Sequence, residues 1–213
     1  MSALALAPVP SPAIPSHVAC GADAGCLRSI ADPAVNLAIW ERALTPVLAD
    51  EAEALARHAD GEVRVTAGLG AAARGLADAM AAAGWPAAPA LIDDVGALAA
   101  LAGPVMTAPA VDLRLAIVTG DACRKFHADY VPLRLITSYA GAGSQWLSND
   151  DAAALAAGAA TGDLDIRQLA TGDVALFKGR LLSDAPIIHR SPPIAGTGAR
   201  RLVLVINPAV AGD

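Results

Sequence analysis

Two histidines and one aspartate form the pattern in this sequence that could bind a metal ion. His127 and Asp129 are two residues apart in the segment CRKFHADYVPLRL, and His189 follows in IIHRSPP. Side chains two apart on a strand share a face, so we expect an imidazole and a carboxylate side by side, joined by His189 from another strand. Two histidines and one carboxylate leave three positions of an octahedral metal open, as in non-haem iron(II) oxygenases. The pattern predicts a divalent metal site, with iron(II) as the expected ion.

The same residues are compatible with three other interpretations. His127 and Asp129 could form a hydrogen-bonded pair, with His189 in a separate structural or substrate-contacting role. Cys123 lies four residues before His127 and would share its face on a regular strand. Its thiolate could then close the site as a fourth ligand of zinc, in a protein without catalysis. A metal-free barrel that binds a small ligand or a partner protein is the third alternative.

Four basic residues are candidates for binding an anion beside the metal. Arg200 and Arg201 follow His189 by eleven and twelve residues and open the strand-like sequence RLVLVIN. A hairpin would return one of them to the interior, where a guanidinium can bind the distal carboxylate of 2-oxoglutarate through two hydrogen bonds. A register shift of one residue exchanges the two arginines, so the choice stays open, and both could instead lie at the surface. Arg134 and Lys178 are lesser candidates for the same role.

Five apolar segments after Ala110 have the length and composition of β-strands. Their sequences are VDLRLAIVT, VPLRLITSYA, GDVALFKG, PIIH and RLVLVIN. Glycine, serine, aspartate and proline dominate the breaks between them, so the pattern predicts an antiparallel barrel or sandwich. A helical insertion is expected at residues 150–160. The metal ligands would project into this β-structure.

The first half of the chain predicts helices. Residues 1–30 carry several prolines and predict an irregular segment. Apolar spacing, alanine content and breaks at Gly and Pro predict helices at residues 36–59, 71–83 and 90–102, with an interruption before Pro46 as an alternative for the first. The expected fold class is α+β. Its expected divisions are an irregular segment at 1–30, a helical portion at 31–110 that packs on the barrel, and a metal-binding β-barrel at 111–213.

Composition and charge limit the classes of partner. The net charge is −6, and no run of lysine or arginine predicts a nucleic-acid partner. The uncharged stretch 95–111 is interrupted by glycine and proline and is short for a spanning helix, so no membrane partner is expected. Three cysteines, and no basic residue before Arg28, favour a reducing, cytoplasmic location. We expect a small-molecule substrate, whereas the oligomeric state does not follow from the sequence.

Several motifs resemble a known family. FHADYVPLRLITSYAGAGSQWL, GDVALFKG, HRSPP, RRLVLVIN and LAIWERAL resemble the DUF1826 family, which has no established activity. Their H-x-D...H...R order is also similar to that of the 2-oxoglutarate/iron(II) dioxygenase superfamily. The second resemblance implies a double-stranded β-helix of jelly-roll or cupin-like type. It also implies iron(II) bound by His127, Asp129 and His189, 2-oxoglutarate anchored by Arg200 or Arg201, and hydroxylation of an unknown substrate.

Overall fold

A computed structural model of the chain describes residues 13–209, which form two β-sheets flanked by helices in an α+β fold. The strands are β1 (Val18–Gly21), β2 (Leu37–Trp40), β3 (Glu62–Gly68), β4 (Ala110–Val118), β5 (Leu133–Ala140), β6 (Gln145–Trp146), β7 (Arg167–Gln168), β8 (Val174–Lys178), β9 (His189–Arg190) and β10 (Arg201–Ala209). The α-helices are α1 (Pro46–His58), α2 (Ala72–Ala82), α3 (Pro89–Met106) and α4 (Asn149–Ala156), and 3₁₀ turns lie at Ala24–Ala31, Leu69–Ala71 and Thr161–Asp163.

The two sheets differ in size and pack against each other. The large sheet has the strand order β1-β2-β8-β5-β10-β4-β3, in which β1 and β2 are parallel and all other neighbours are antiparallel. The small sheet has the order β7-β6-β9. Within residues 13–209 no ladder joins the two sheets, so the closed barrel that the sequence predicted is not formed by strand pairing.

Alternation along the strands of the large sheet divides the core into two layers. On β10, Leu202, Leu204 and Ile206 pack on the helix side, in the core that also contains buried residues of α1, α2 and α3. Val203 packs on the opposite side, together with Phe177 of the large sheet and Trp146 of the small one. Because side chains alternate strictly along a strand, residues of odd number on β10 face the small sheet. This parity decides which polar side chains enter the space between the sheets.

The first half of the chain contains the predicted helices and also three strands that were not predicted. Helices α2 and α3 confirm the predictions at 71–83 and 90–102. The helix predicted over 36–59 is wrong at its start, because LAIW forms β2, which pairs with β8, and α1 begins only at Pro46 with Thr45 as its N-cap. An apolar run buried on both faces has no period that separates strand from helix. Strands β1, β2 and β3 precede residue 110 but belong to the large sheet. This sheet therefore contains strands from both sides of the expected division at residue 110.

Helix α3 is a core helix of this fold. It is long and apolar enough to cross a membrane, a criterion that core helices also satisfy. Leu91, Val95 and Leu98 lie fully or almost fully buried in the main core. On the same helix, the Asp94 carboxylate accepts two hydrogen bonds from the guanidinium of Arg42 and one from the hydroxyl of Tyr139 on β5. These contacts fix α3 against the helix side of the large sheet.

Candidate metal centre

The three predicted ligands converge between the sheets. One ligand atom from each of His127, Asp129 and His189 lies within 4.8 Å of the other two. The Nε2 atom of His189 is 3.3 Å from Oδ2 of Asp129, and that of His127 is 3.7 Å from Oδ1. Asp129 and His189 are buried, at 9% and 4% exposure, whereas His127 lies at the edge of the cluster. The structure thus brings together residues that are 60 positions apart in the chain.

The backbone that carries His127 and Asp129 is a loop, which corrects the expected strand. His127 forms only an isolated bridge, in which its N–H and C=O both pair with His189 at 2.9 Å. Asp129 follows in an irregular stretch before β5 begins at Leu133. Of the segment PIIH, only His189 belongs to a strand, because β9 begins at that residue. The bridge aligns the two histidines, whose ring centroids are 4.7 Å apart.

Both imidazoles are oriented to leave Nε2 free for a metal. Nδ1 of His127 lies 2.9 Å from the carbonyl oxygen of Lys125, and Nδ1 of His189 lies 3.4 Å from that of Ile187. A carbonyl oxygen can only accept, so a proton on each Nδ1 is the tautomer that fits these contacts, and it leaves Nε2, on the side of Asp129, available to a metal. A backbone carbonyl on the second ring nitrogen is the usual support of a metal-binding histidine.

The Asp129 carboxylate has one occupied and one unoccupied oxygen. Arg134 donates to Oδ1 at 2.5 Å, and its Nε donates to Oδ1 of Asn207. Among the described residues, the buried Oδ2 has no hydrogen-bond partner, although an unpaired buried oxygen is costly. Burial raises the pKa of Asp129, but contacts with His189, Arg134 and His127 outweigh it and leave the pKa below its usual value. The group is therefore an ionised carboxylate with one oxygen free to bind a cation.

A cavity of about 90 Å³ opens beside the three residues. Its walls are the inner faces of β4, β5 and β10, including the apolar side chains of Ile136, Val203 and Val205, together with His127 and His189. A water molecule needs about 10–15 Å³ of such space, so the cavity has room for several waters or a small organic acid. Its size and mixed lining suit a small molecule that contacts the two histidines.

Arg201 is a buried cation at the end of this cavity wall. It is 1% exposed and shares the inward face of β10 with Val203 and Val205. Its guanidinium donates to the carbonyl of Ala142 and to the hydroxyls of Ser191 and Ser138, with no ion pair among the described residues. Burial lowers the pKa of Arg201 to about 10. A buried guanidinium without a carboxylate is unusual and attracts an anion.

The other three predicted anion-binding residues have different positions. Arg200 points to the helix side of the sheet, where it donates to the carbonyls of Ala56 and Ala59 at the end of α1. Lys178 lies on the face of β8 that points toward the helices, and it donates to the carbonyl of Asp32, outside the cavity. Arg134 lines the cavity, but its guanidinium is engaged by Asp129 and Asn207. Of the four, Arg201 alone combines the inward face with a free charge.

Some residues of the site were not found from the sequence. Ser138 and Ser191 bond the Arg201 guanidinium, and Ser191 also lines the cavity. Asn207 orients Arg134. Ser138 lies four residues after Arg134 on β5 and so shares its face, which is the one signal of its role in the sequence. The positions of Ser191 and Asn207 depend on pairing between distant segments of the chain.

A family comparison covers nearly the whole chain. The model of the family described as "Protein of unknown function (DUF1826)" matches residues 21–207. The chain belongs to the DUF1826 family. Among curated proteins, no sequence is significantly similar to it.

A comparison with solved structures supports a known fold for this DUF1826 protein. The dioxygenase for auxin oxidation 1 of Arabidopsis thaliana, AtDAO1, in complex with 2-oxoglutarate, aligns with a TM-score of 0.56 at 9% identity, over 92% of this chain and 93% of that one. AviO1 from Streptomyces viridochromogenes gives 0.48 at 16% identity over 89% and 96%, and a Pseudomonas putida prolyl-4-hydroxylase gives 0.45 at 15% over 89% and 99%. AtDAO1 alone of these exceeds 0.5, and at 9% identity it supports a common fold.

Cys123 is not part of the cluster in the DUF1826 chain. It lies in a turn with a φ of 61°, exposed at the cavity mouth, and its carbonyl accepts from the N–H of Ser191. The expected shared face with His127 required a regular strand, which the turn replaces. The compact group of ligand atoms found within residues 13–209 contains the two histidines and Asp129 without this sulfur.

Gly179 packs directly against the loop that carries Asp129. An added Cβ would lie 2.1 Å from the carbonyl oxygen of Val131 and 2.9 Å from that of Asp129. We expect Gly179→Ala to displace this loop, to lower the free energy of unfolding by about 1–3 kcal/mol as overpacking does, and to weaken metal binding. Chemical denaturation and metal titration measure the two effects. Gly120→Ala, where nothing lies within 4 Å of the added atom, is the matched control. Equal metal affinity in both variants would contradict this role of Gly179.

Proposed function

We propose that this protein is an iron(II)- and 2-oxoglutarate-dependent oxygenase that hydroxylates a small molecule, and that its two facing sheets are those of a double-stranded β-helix. The observation that carries the proposal is a buried guanidinium that has no carboxylate partner within residues 13–209. It lies on the same inward strand face as a cavity that contacts two histidines of a His-Asp-His cluster. A cofactor with an acid at one end and a chelating group at the other fits this arrangement. The expected cytoplasmic location remains a prediction.

The residues of the cluster fit a divalent metal. Nε2 of His127, Nε2 of His189 and the unpaired Oδ2 of Asp129 would hold the ion. Three protein ligands of this type, with open positions, are typical of non-haem iron(II). When bound, iron would supply the activation of dioxygen that amino-acid side chains cannot provide. Arg134 keeps Oδ1 of Asp129 occupied, which favours binding through one oxygen and preserves the open positions.

The cavity fits 2-oxoglutarate. Arg201 would bind the distal carboxylate, assisted by the hydroxyls of Ser138 and Ser191 that now bond the guanidinium. A carboxylate there would compensate a cation whose pKa is lowered by burial alone. Ile136, Val203 and Val205 supply apolar walls for the methylene groups and exclude water from the metal side. The chain thereby orients the cosubstrate from its acidic end.

Anaerobic spectroscopy tests the proposed function. Iron-loaded protein mixed with 2-oxoglutarate without oxygen should show a metal-to-ligand absorption band, and admission of air should convert 2-oxoglutarate to succinate. Absence of both would rule the proposal out. Cys123→Ser serves as the control for a zinc site closed by a thiolate. We expect its metal affinity to match that of the natural chain within about twofold, because the sulfur lies outside the cluster; a large loss would favour the zinc interpretation.

A further inference from the structure

A cationic groove lies on the outer side of the small sheet, behind the metal centre. Arg124, Lys125, Phe126 and Arg190 line this groove, which has a volume of about 580 Å³. His189 and Arg190 are neighbours on β9, so alternation sends the histidine inward and the arginine to the opposite face. The groove is therefore separate from the cavity that Arg201 adjoins, although the same short segments of chain build both.

The three cations of the groove lack acidic partners. None of Arg124, Lys125 and Arg190 appears in an ion pair within 4.0 Å among residues 13–209. The nearby Asp121 carboxylate accepts from the backbone N–H groups of Ile194 and Ala195 through Oδ1, and its charge interacts with Arg124 beyond ion-pair distance. One carboxylate beside three cations leaves the groove with a surplus of positive charge.

Arg190 is held in place without being neutralised. Its Nε donates to Oε1 of Gln145 at 2.7 Å, and its guanidinium lies 4.3 Å from the centre of the Phe126 ring. A cation fixed by a neutral amide and an aromatic face keeps its charge and its remaining N–H donors for a ligand.

The groove shares two of its cations with a second depression that reaches His127. Arg124 and Lys125 line this depression, of about 400 Å³, together with Asp121, Cys123 and His127. The carbonyl oxygen of Lys125 also lies 2.9 Å from Nδ1 of His127, so the cationic segment contacts this proposed metal ligand. A molecule whose acidic group lies at Arg124 and Lys125 would have its adjoining atoms beside His127.

We propose that the primary substrate of the metal centre is a small anion, with a phosphate or carboxylate group bound by Arg124, Lys125 and Arg190. This inference rests on the proposed oxygenase function and adds the class of substrate. A volume of about 580 Å³ is within the range of small-molecule pockets, roughly 300–1,000 Å³. Three cations are too few for a nucleic-acid backbone, which such proteins contact at about six to ten phosphates. Guanidinium and ammonium groups bind phosphate and carboxylate alike, so both remain open.

Binding of simple anions to the iron- and 2-oxoglutarate-loaded protein, kept free of oxygen, tests the inference. Phenyl phosphate and phenylacetate represent the two acidic groups, and phenol is the neutral reference, each titrated by calorimetry. We expect at least one anion to bind and phenol not to bind. The double variant Arg124→Gln/Lys125→Gln should weaken that binding about tenfold, since two partly exposed charged contacts together contribute about this factor. The anion that binds more tightly identifies the acidic group.

A charge-matched control separates the groove from the general field of the protein. Arg28→Gln/Arg57→Gln removes two exposed cations outside the groove and should leave the affinity unchanged. Equal affinity in the groove variant and the natural chain, or no binding of either anion, would overturn the inference. The absorption band of bound 2-oxoglutarate, recorded on the same samples, distinguishes the two proposals. A normal band with unaltered anion binding contradicts the groove alone, whereas a missing band in the natural chain contradicts both.

Discussion

Arg201→Met should raise the dissociation constant for 2-oxoglutarate by about 100-fold, since two charge-assisted hydrogen bonds to a carboxylate contribute roughly 3 kcal/mol. Arg201 is the cation on the inward face of β10 whose guanidinium meets no carboxylate in the described part of the chain. Calorimetric titration of the metal-loaded variant without oxygen measures this loss. We expect metal affinity to be retained, because Arg201 does not contact the His-Asp-His cluster.

Arg200→Met is the matched control, one residue away and of opposite parity. Arg200 donates to the last carbonyls of α1 and to Asp60, so its loss should lower thermal stability and leave 2-oxoglutarate affinity unchanged. In the ligand-free protein, Arg201→Met should cost little stability. Burial lowers the pKa of Arg201 from its usual value to about 10, so below pH 10 its charge opposes folding and offsets the hydrogen bonds that it makes. Weaker binding in Arg200→Met with normal binding in Arg201→Met would refute this assignment.

Asp129→Asn should reduce metal affinity by more than about 100-fold. Loss of a group that only supports a metal ligand costs up to about 100-fold, and Asp129 is itself a proposed ligand. The amide has the same shape as the carboxylate but lacks its negative charge. In the natural chain that charge faces both imidazoles, and Oδ2 has no hydrogen-bond partner among the described residues. Competition against a chromophoric chelator measures the affinity. Asp112→Asn is the control. The Asp112 carboxylate lies on the face of β4 toward the small sheet, outside the cluster. Similar affinities in the two variants would remove Asp129 from the ligand set.

The same substitution has a defined effect on pH dependence in the metal-free protein. Folding lowers the pKa of Asp129 below its ordinary value of 3.8, so the ionised carboxylate stabilises the fold above pH 3.8. This contribution disappears as the pH falls through the folded pKa, and Asp129→Asn lacks it throughout. Denaturation at pH 7 and pH 3 should therefore show a smaller difference between the variant and the natural chain at the lower pH. An equal difference at both would show that the charge does not stabilise the fold.

Local sequence was sufficient for most elements and for the identity of the cluster. The strand sequences around β4, β5, β8 and β10 have the composition and flanking breaks that predict strands, and α2 and α3 have alanine-rich segments bounded by breaks. His127, Asp129 and His189 were identified because histidine is rare in this chain and polar residues within apolar segments need partners. Their convergence follows from the reciprocal pairing of His127 with His189, which no local pattern encodes.

Other features depended on contacts between distant segments. The run LAIW could be either helix or strand until its pairing with β8 decided the matter. The turn at Cys123 removed the regular strand on which a fourth ligand would have depended. The free charges of Arg124, Lys125 and Arg190 could not be inferred either, since a cation is unpaired only with respect to neighbours brought close by folding.

The residue types establish which chemical groups are available: two imidazoles, a carboxylate and a pair of adjacent arginines. Their roles follow from folding, and the arginines show why. Strand register sends Arg201 toward the cavity and Arg200 toward α1. A shift of one residue in β10 would exchange them, and that register is set by its pairing with β4 and β5 across the large sheet.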